Sequence, residues 1–240
     1  MNKKTASRLL DLNRRFYQTF AVQFSSTRQR LQPGVMRILD EISSQANILD
    51  LGCGNGELAK ELSSRGYQGS YLGMDSNAEF LILARRKLPD ETSFQLIERD
   101  LTEPDWDQEL PITSFDVILA FSVLHHIPGT QLRLQLLEKI RHQLLPEGSF
   151  FHSEWQFLNS PRLRERIQPW DLVDIKSDQV DQGDYLLDWR QGGQGFRYVH
   201  HFESDELEKL AHDAGFRILQ SFTSDGEGGK LGLYQKWKRV

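Results

Sequence analysis

The stretch that most restricts the fold is residues 48–58, Ile-Leu-Asp-Leu-Gly-Cys-Gly-Asn-Gly-Glu-Leu. Its first four residues read as a short buried strand, and the run from Glu57 onward reads as the start of a helix. Between them Gly52, Cys53, Gly54, Asn55 and Gly56 make a turn too tight for a Cβ at every position. A glycine-rich turn from strand to helix lets the backbone press against a nucleotide-like ligand. A dinucleotide fingerprint would space its glycines Gly-x-Gly-x-x-Gly, whereas here the third glycine, Gly56, comes one residue early. Asp50, just before the turn, would repel a pyrophosphate and attract an ammonium group.

The rest of the chain alternates in the same rhythm. Leu9, Leu12, Phe16 and Phe20 repeat at helical spacing, predicting an amphipathic helix over residues 4–23. Gln32-Pro33-Gly34 precedes a second helix over 34–44. Strands are expected at 47–51, 69–74, 93–98, 115–121 and 149–154, with helices at 56–65, 77–87 and 130–144 between them. The run Phe-Asp-Val-Ile-Leu-Ala-Phe at 115–121 is apolar enough for a central parallel strand. Residues 155–200 break the pattern, and Gln191-Gly192-Gly193-Gln194-Gly195 reads as a mobile loop. Ser204 is expected to cap a helix at 205–214, ended by Gly215, before two final strands at 216–222 and 231–238.

This order predicts an α/β fold: a seven-stranded, mostly parallel, doubly wound Rossmann-like sheet with its last strand antiparallel. Residues 1–45 read as an N-terminal helical cap and 46–240 as the core, with a substrate-side insertion at 155–203. At 240 residues the chain fits one such domain. No run is apolar enough to span a bilayer, and the polar N-terminus lacks a secretory pattern. With Cys53 the single cysteine, a disulfide framework is excluded, and the expected location is cytoplasmic. The net charge is −5, yet residues 1–45 hold eight Lys and Arg against three acidic side chains. A basic N-terminal face and an ordinary solvated helix face both fit that imbalance.

Three acidic residues end three successive strands: Asp50 in the first, Asp75 after the second, and Asp100 after the third. Together with the glycine turn, this constellation resembles the class I methyltransferases that use S-adenosyl-L-methionine. The resemblance covers about residues 45–155 and 200–238. It implies that Asp50, Gly52, Cys53, Gly54, Asn55 and Gly56 hold the methionine end. Asp75 and Ser76 would take the ribose hydroxyls, Asp100 the adenine amino group with Leu101 on the ring, and Phe121-Ser122 would border the methionine end. Leu145-Pro146-Glu147-Gly148 matches the family's turn before strand five, with Glu147 in place of a glycine.

Two stretches outside the core narrow the acceptor. Phe24-Ser25-Ser26-Thr27-Arg28 and Arg197-Tyr198-Val199-His200-His201-Phe202, the latter preceded by Asp188-Trp189-Arg190, resemble segments of the wobble-uridine tRNA methyltransferases. Ser122-Val123-Leu124-His125-His126 is similar to their segment after strand four. By that resemblance the acceptor is the carboxylate of 5-carboxymethyluridine, with Arg28, His125, Arg190, Tyr198 and His200 on the acceptor side. Val199 departs from the family, which carries a second aromatic residue there. An ionised carboxylate calls for cationic recognition and not for a base, and arginine offers a bidentate fork.

Other readings stay open at this point. A small-molecule O- or N-acceptor, a catalytically silent cofactor-binding partner and a nicotinamide enzyme are all compatible with such a sheet. The early Gly56 and Asp50 weigh against the last of these. A tRNA acceptor and an activating subunit are open partners, and no membrane is expected. The pairs His125-His126 and His200-His201 invite a metal reading. Neighbouring residues on a strand face opposite ways, so each pair offers one ligand at most and no metal is expected. Trp155, Trp170 and Trp189, with Phe157 and Tyr185, read as the core of the insertion ahead of a base-stacking platform.

Overall fold

A computed structural model describes residues 1–88 and 93–240. The chain opens with the long helix α1 (Lys3–Ser26), whose N-cap Asn2 accepts the Thr5 N–H through its side chain. The backbone leaves helical geometry at Phe20, so α1 bends there. Then follow α2 (Pro33–Leu39), β1 (Ile48–Leu51), α3 (Glu57–Ser64), β2 (Tyr71–Asp75), α4 (Ala78–Arg85), β3 (Phe94–Glu98) and β4 (Phe115–Phe121). Next come α5 (Thr130–Gln143), β5 (Leu144–Trp155), α6 (Pro161–Arg164), β6 (Ile167–Gln168), β7 (Asp184–Trp189) and β8 (Gly195–His200). The helix α7 (Ser204–Asp213) and strands β9 (Phe216–Ser224) and β10 (Gly232–Arg239) complete it.

Seven strands form one sheet in the order β3-β2-β1-β4-β5-β10-β9. β1 pairs in parallel with β2 and β4, and β10 is antiparallel to both of its neighbours. Alternation along the strands sorts the core into two layers. Leu49, Ile118, Ala120 and Phe150 pack toward α5 and α7, while Ile48, Val117, Leu119 and Phe151 pack toward α2, α3 and α4. The strand order reverses between β1 and β4, and the crevice beyond their carboxyl ends is where open α/β sheets bind ligands. The second sheet, β6-β7-β8, is antiparallel and lies beside this crevice through α1, which packs against both β8 and α4.

Several expectations need correction. β5 begins at Leu144, and Pro146-Glu147-Gly148 sits inside it as a register break: Phe115 pairs with Leu144 and then Val117 with Ser149. α2 ends at Leu39, short of residue 44. Glu203, and not Ser204, is the N-cap of α7, with no side-chain hydrogen bond. The region 155–200 holds three strands that irregular composition concealed, and the glycine run at 191–195 is largely the β7–β8 hairpin loop. His125 and His126 stand on a single 3₁₀ turn, Leu124–His126, and not on a strand.

Candidate active site

Gly52, Gly54 and Gly56 have φ of +70°, +55° and +76°, a region costly for any residue with a Cβ. Close approach adds to this: a Cβ on Gly52 would lie 2.7 Å from Val123 Cγ2, and one on Gly56 would lie 2.6 Å from Ala84 Cβ. At Gly54 an added Cβ meets nothing nearer than 4.0 Å, so this backbone faces open space. The Cys53 N–H donates to the Met74 carbonyl at 2.8 Å, tying the turn to β2, and burial pushes the thiol's pKa up.

Asp75 ends β2 and faces the turn. Its carboxylate accepts the Gly54 N–H and the Asn77 N–H, each at 2.9 Å. Part of its surface remains open to solvent, yet crowding raises its pKa to about 6 against the opposing backbone amides of Asn77, Gly54 and Ser76. Asp50 is 3% exposed and accepts the Tyr71 hydroxyl at 2.6 Å. Burial raises it to about 7; the Tyr71 bond opposes the shift and Asp75 adds to it. Ser122, at the end of β4, holds a left-handed φ of +60° while its N–H donates to Ser153. A non-glycine residue in that region costs energy and is characteristic of a functional turn. Phe121 beside it packs near Tyr234.

Beyond β2 and β3 a cavity of about 890 Å³ is lined by Arg14, Gln18, Ser76, Asp100, Glu103 and Trp106, among others. The Trp106 indole N–H is buried there with no partner among the described residues. Asp100 accepts both the Thr102 N–H (2.9 Å) and hydroxyl (2.6 Å), and Arg14 donates to its other oxygen at 3.0 Å. Burial alone would raise the Asp100 pKa, but these donors outweigh it and hold it below the usual carboxylate range. Leu101 packs against the core layer beneath.

α1 roofs the crevice. Asn55 donates from Nδ2 to Ser25 Oγ (2.8 Å) and to the Arg28 carbonyl (3.1 Å), while Asn77 Nδ2 donates to the Tyr17 carbonyl (2.8 Å). Tyr17 and Phe24 pack edge to face, and both reach Phe80 of α4. The Tyr17 hydroxyl donates to His126 Nε2 at 2.8 Å. His126 Nδ1 lies 3.2 Å from the Tyr198 carbonyl, which can only accept, and 3.4 Å from Asn13 Nδ2; the shorter contact favours a proton on Nδ1, with Nε2 accepting from Tyr17. Burial, then the charge of Arg197, lowers the His126 pKa to about 3, so this ring is neutral.

The acceptor-side expectations separate. Arg28 reaches the crevice: it is exposed, and its guanidinium carbon stands 5.0 Å from the Phe24 ring centre. Tyr198 and His200 do not. Both are buried and commit their polar atoms to Asp184, at 2.8 and 2.7 Å, with Arg133 and Glu206 completing the network. Arg190 lies at the exposed tip of the β7–β8 hairpin and bonds Asp188. His125 is 1% exposed, with Nδ1 3.0 Å from Glu154. The reason is strand alternation: Arg197, one residue before Tyr198, turns toward Phe16 and Phe24 near the crevice, while Tyr198 on the other face packs against Leu9 and Leu12 at the start of α1. Arg197, Tyr17 and His126 are not among the residues expected in the site from sequence, although Arg197 and His126 stand inside the Arg-Tyr-Val-His and Ser-Val-Leu-His-His segments.

The sheet order, the left-handed glycine turn and the carboxylate facing it from β2 define a class I methyltransferase with S-adenosyl-L-methionine as its cofactor. The methyltransferase domain family matches residues 24–221, and the chain belongs to that family. The tRNA (carboxymethyluridine(34)-5-O)-methyltransferase of Schizosaccharomyces pombe is 26% identical over 214 residues, spanning 85% of this chain and 88% of that protein. Trans-aconitate 2-methyltransferase of Pseudomonas paraeruginosa is 34% identical over 132 residues, 54% of this chain and 43% of its own length. The crystal structure of a SAM-dependent methyltransferase from Methanosarcina mazei superposes with a TM-score of 0.66 at 22% identity, covering 88% of this chain and 98% of that one.

The site predicts a pH dependence. Asp75 and Asp50 ionise near pH 6 and 7 in this fold. A cationic ligand whose hydroxyls and ammonium group need ionised carboxylates binds better as they deprotonate. Titration calorimetry should therefore show S-adenosyl-L-methionine affinity rising with pH through this window. Below about pH 6 it should fall, by up to about tenfold per pH unit for each group. A flat profile from about pH 5 to 8 would remove both carboxylates from the site.

Proposed function

We propose that the chain transfers a methyl group from S-adenosyl-L-methionine to a carboxylate, with 5-carboxymethyluridine in tRNA as the acceptor. The glycine turn and Asp50 would hold the methionine end, Asp75 the ribose, and the cavity with Ser76, Asp100 and Trp106 the adenine. When bound, the sulfonium supplies an activated methyl and a good leaving group. The chain's own residues align the acceptor and exclude water. The observation that carries the acceptor reading is the seat of Arg28. Its carbonyl accepts from Asn55 of the glycine turn and its guanidinium stands over Phe24, which supports a seat near the methionine end. The acceptors of two similar proteins, carboxymethyluridine and trans-aconitate, support the same chemistry.

A second reading rests on the Tyr17–His126 pair, a phenol and a neutral imidazole that bring polar groups but no charge to the acceptor side; with a pKa of about 3 the ring is too weak a base to take the proton itself. It favours a protonated oxygen or nitrogen acceptor. The two readings differ in the pH–rate profile at saturating cofactor, with tRNA bearing 5-carboxymethyluridine as substrate. A carboxylate is already ionised, so kcat should stay level from about pH 6 upward. A log-linear rise through about pH 8 would favour the second reading.

A further inference from the structure

Arg197 is 6% exposed, and its Nε is buried with no hydrogen-bond partner. Its guanidinium carbon stands 4.9 Å from the Trp155 ring centre, 5.5 Å from Phe16, 5.8 Å from Phe24 and 6.0 Å from Trp189. Arg28 shares one of these rings, Phe24, at 5.0 Å, so two guanidinium groups stand against the same side chain. Among the described residues no carboxylate forms an ion pair with either. Asp188 and Asp184 lie on the opposite face of the β7–β8 ribbon, because Arg197 pairs across with Leu187. The Arg28 side chain keeps an exposed flank, yet crowding of its guanidinium, and then repulsion from Arg197, lowers its pKa.

A buried cation without a counter-charge is costly, and a second cation beside it makes it costlier. The aromatic rings ease this through their faces, leaving the edges of the guanidinium for an in-plane partner. A carboxylate has that shape and charge and can accept two parallel N–H bonds. Asn55 and Asn77 tie the backbone of Arg28 and of Tyr17 to the cofactor turn and to the end of β2.

We infer that Arg197, assisted by Arg28, is the anion subsite of the acceptor: Arg197 fixes a planar carboxylate from inside the aromatic cage, and Arg28 closes over it from α1. This rests on the carboxylate reading of the function and names the residues that select the substrate. The test separates the two. Phenylacetate and its neutral amide, phenylacetamide, serve as probes that need no tRNA, titrated in the presence of S-adenosylhomocysteine.

Wild type should bind phenylacetate at least about tenfold more tightly than the amide. Arg197→Gln should abolish that preference and raise KM for tRNA bearing 5-carboxymethyluridine, with cofactor affinity unchanged. Arg28→Gln, at an exposed position that leaves the fold alone, should weaken phenylacetate by several-fold. Arg197→Lys keeps the charge in the cage and should restore part of the preference if Arg197→Gln folds poorly. Unchanged preference in both glutamine variants would overturn the subsite, whatever the tRNA result. Arginine-dependent phenylacetate binding without methylation of the tRNA would uphold the subsite and discard the tRNA acceptor.

Discussion

Arg133→Met should destabilise the fold by about 3–5 kcal/mol in urea or guanidinium unfolding, the loss typical of breaking a buried ion pair from one side. Arg133 is 1% exposed and spends every donor group on a different element. Nε donates to the Ile127 carbonyl at 2.9 Å, Nη1 to Glu206 at 3.1 Å, and Nη2 to the Tyr198 hydroxyl at 3.1 Å. It also covers the Phe202 ring at 4.7 Å and lies 3.9 Å from Asp184. Methionine would fill much of the space but take the Arg133 charge away from Asp184, leaving it the Tyr198 hydroxyl, His200 and the Asp181 N–H as partners. This network joins α5, α7 and the small sheet, so its loss should also loosen the insertion against the core. A change below about 1 kcal/mol would show that the network contributes little to stability.

Asp75→Ala should weaken S-adenosyl-L-methionine binding about a hundredfold, close to 3 kcal/mol, with less effect on folding. Two losses add together. On the proposed site the ribose hydroxyls would lose a charged acceptor, and the Gly54 and Asn77 N–H groups lose the carboxylate that fixes the glycine turn against β2. Asp75→Asn keeps one acceptor oxygen and should fall between the two. Calorimetric titration measures both, and an unchanged Kd in Asp75→Ala would mean that the ribose lies elsewhere.

The cofactor half was legible from sequence because its constraints are local. Gly52, Gly54 and Gly56 announce positive φ wherever they stand, and apolar runs such as 115–121 announce parallel strands. The acceptor half depends on which way a strand faces. Tyr198, His200 and Arg197 belong to one segment, and only the packing of α1 against β8 decides that Arg197 takes the crevice side. Tyr17 was hidden for a similar reason: the stripe of Leu9, Leu12, Phe16 and Phe20 reads as the buried face of α1, and Tyr17 sits one position around the helix from it. The placement of His125 and His126 off a strand was not legible because a 3₁₀ turn of three residues leaves no periodicity to read. The aromatic residues of the insertion do form its core, with Trp155, Phe157 and Tyr185 in one cluster and Trp189 in another with Phe16 and Phe20. No group of three or more metal-ligating side chains occurs among the described residues, and no helix is long and apolar enough to cross a membrane.

The most direct test of a methyltransferase acting on a carboxylate uses purified protein, methyl-labelled S-adenosyl-L-methionine and tRNA bearing 5-carboxymethyluridine. The tRNA is then digested to nucleosides for mass spectrometry. The predicted result is one added methyl on that nucleoside, released by mild alkali as expected of an ester. An alkali-stable methyl on another atom, or label found only in small molecules supplied in parallel, would contradict it.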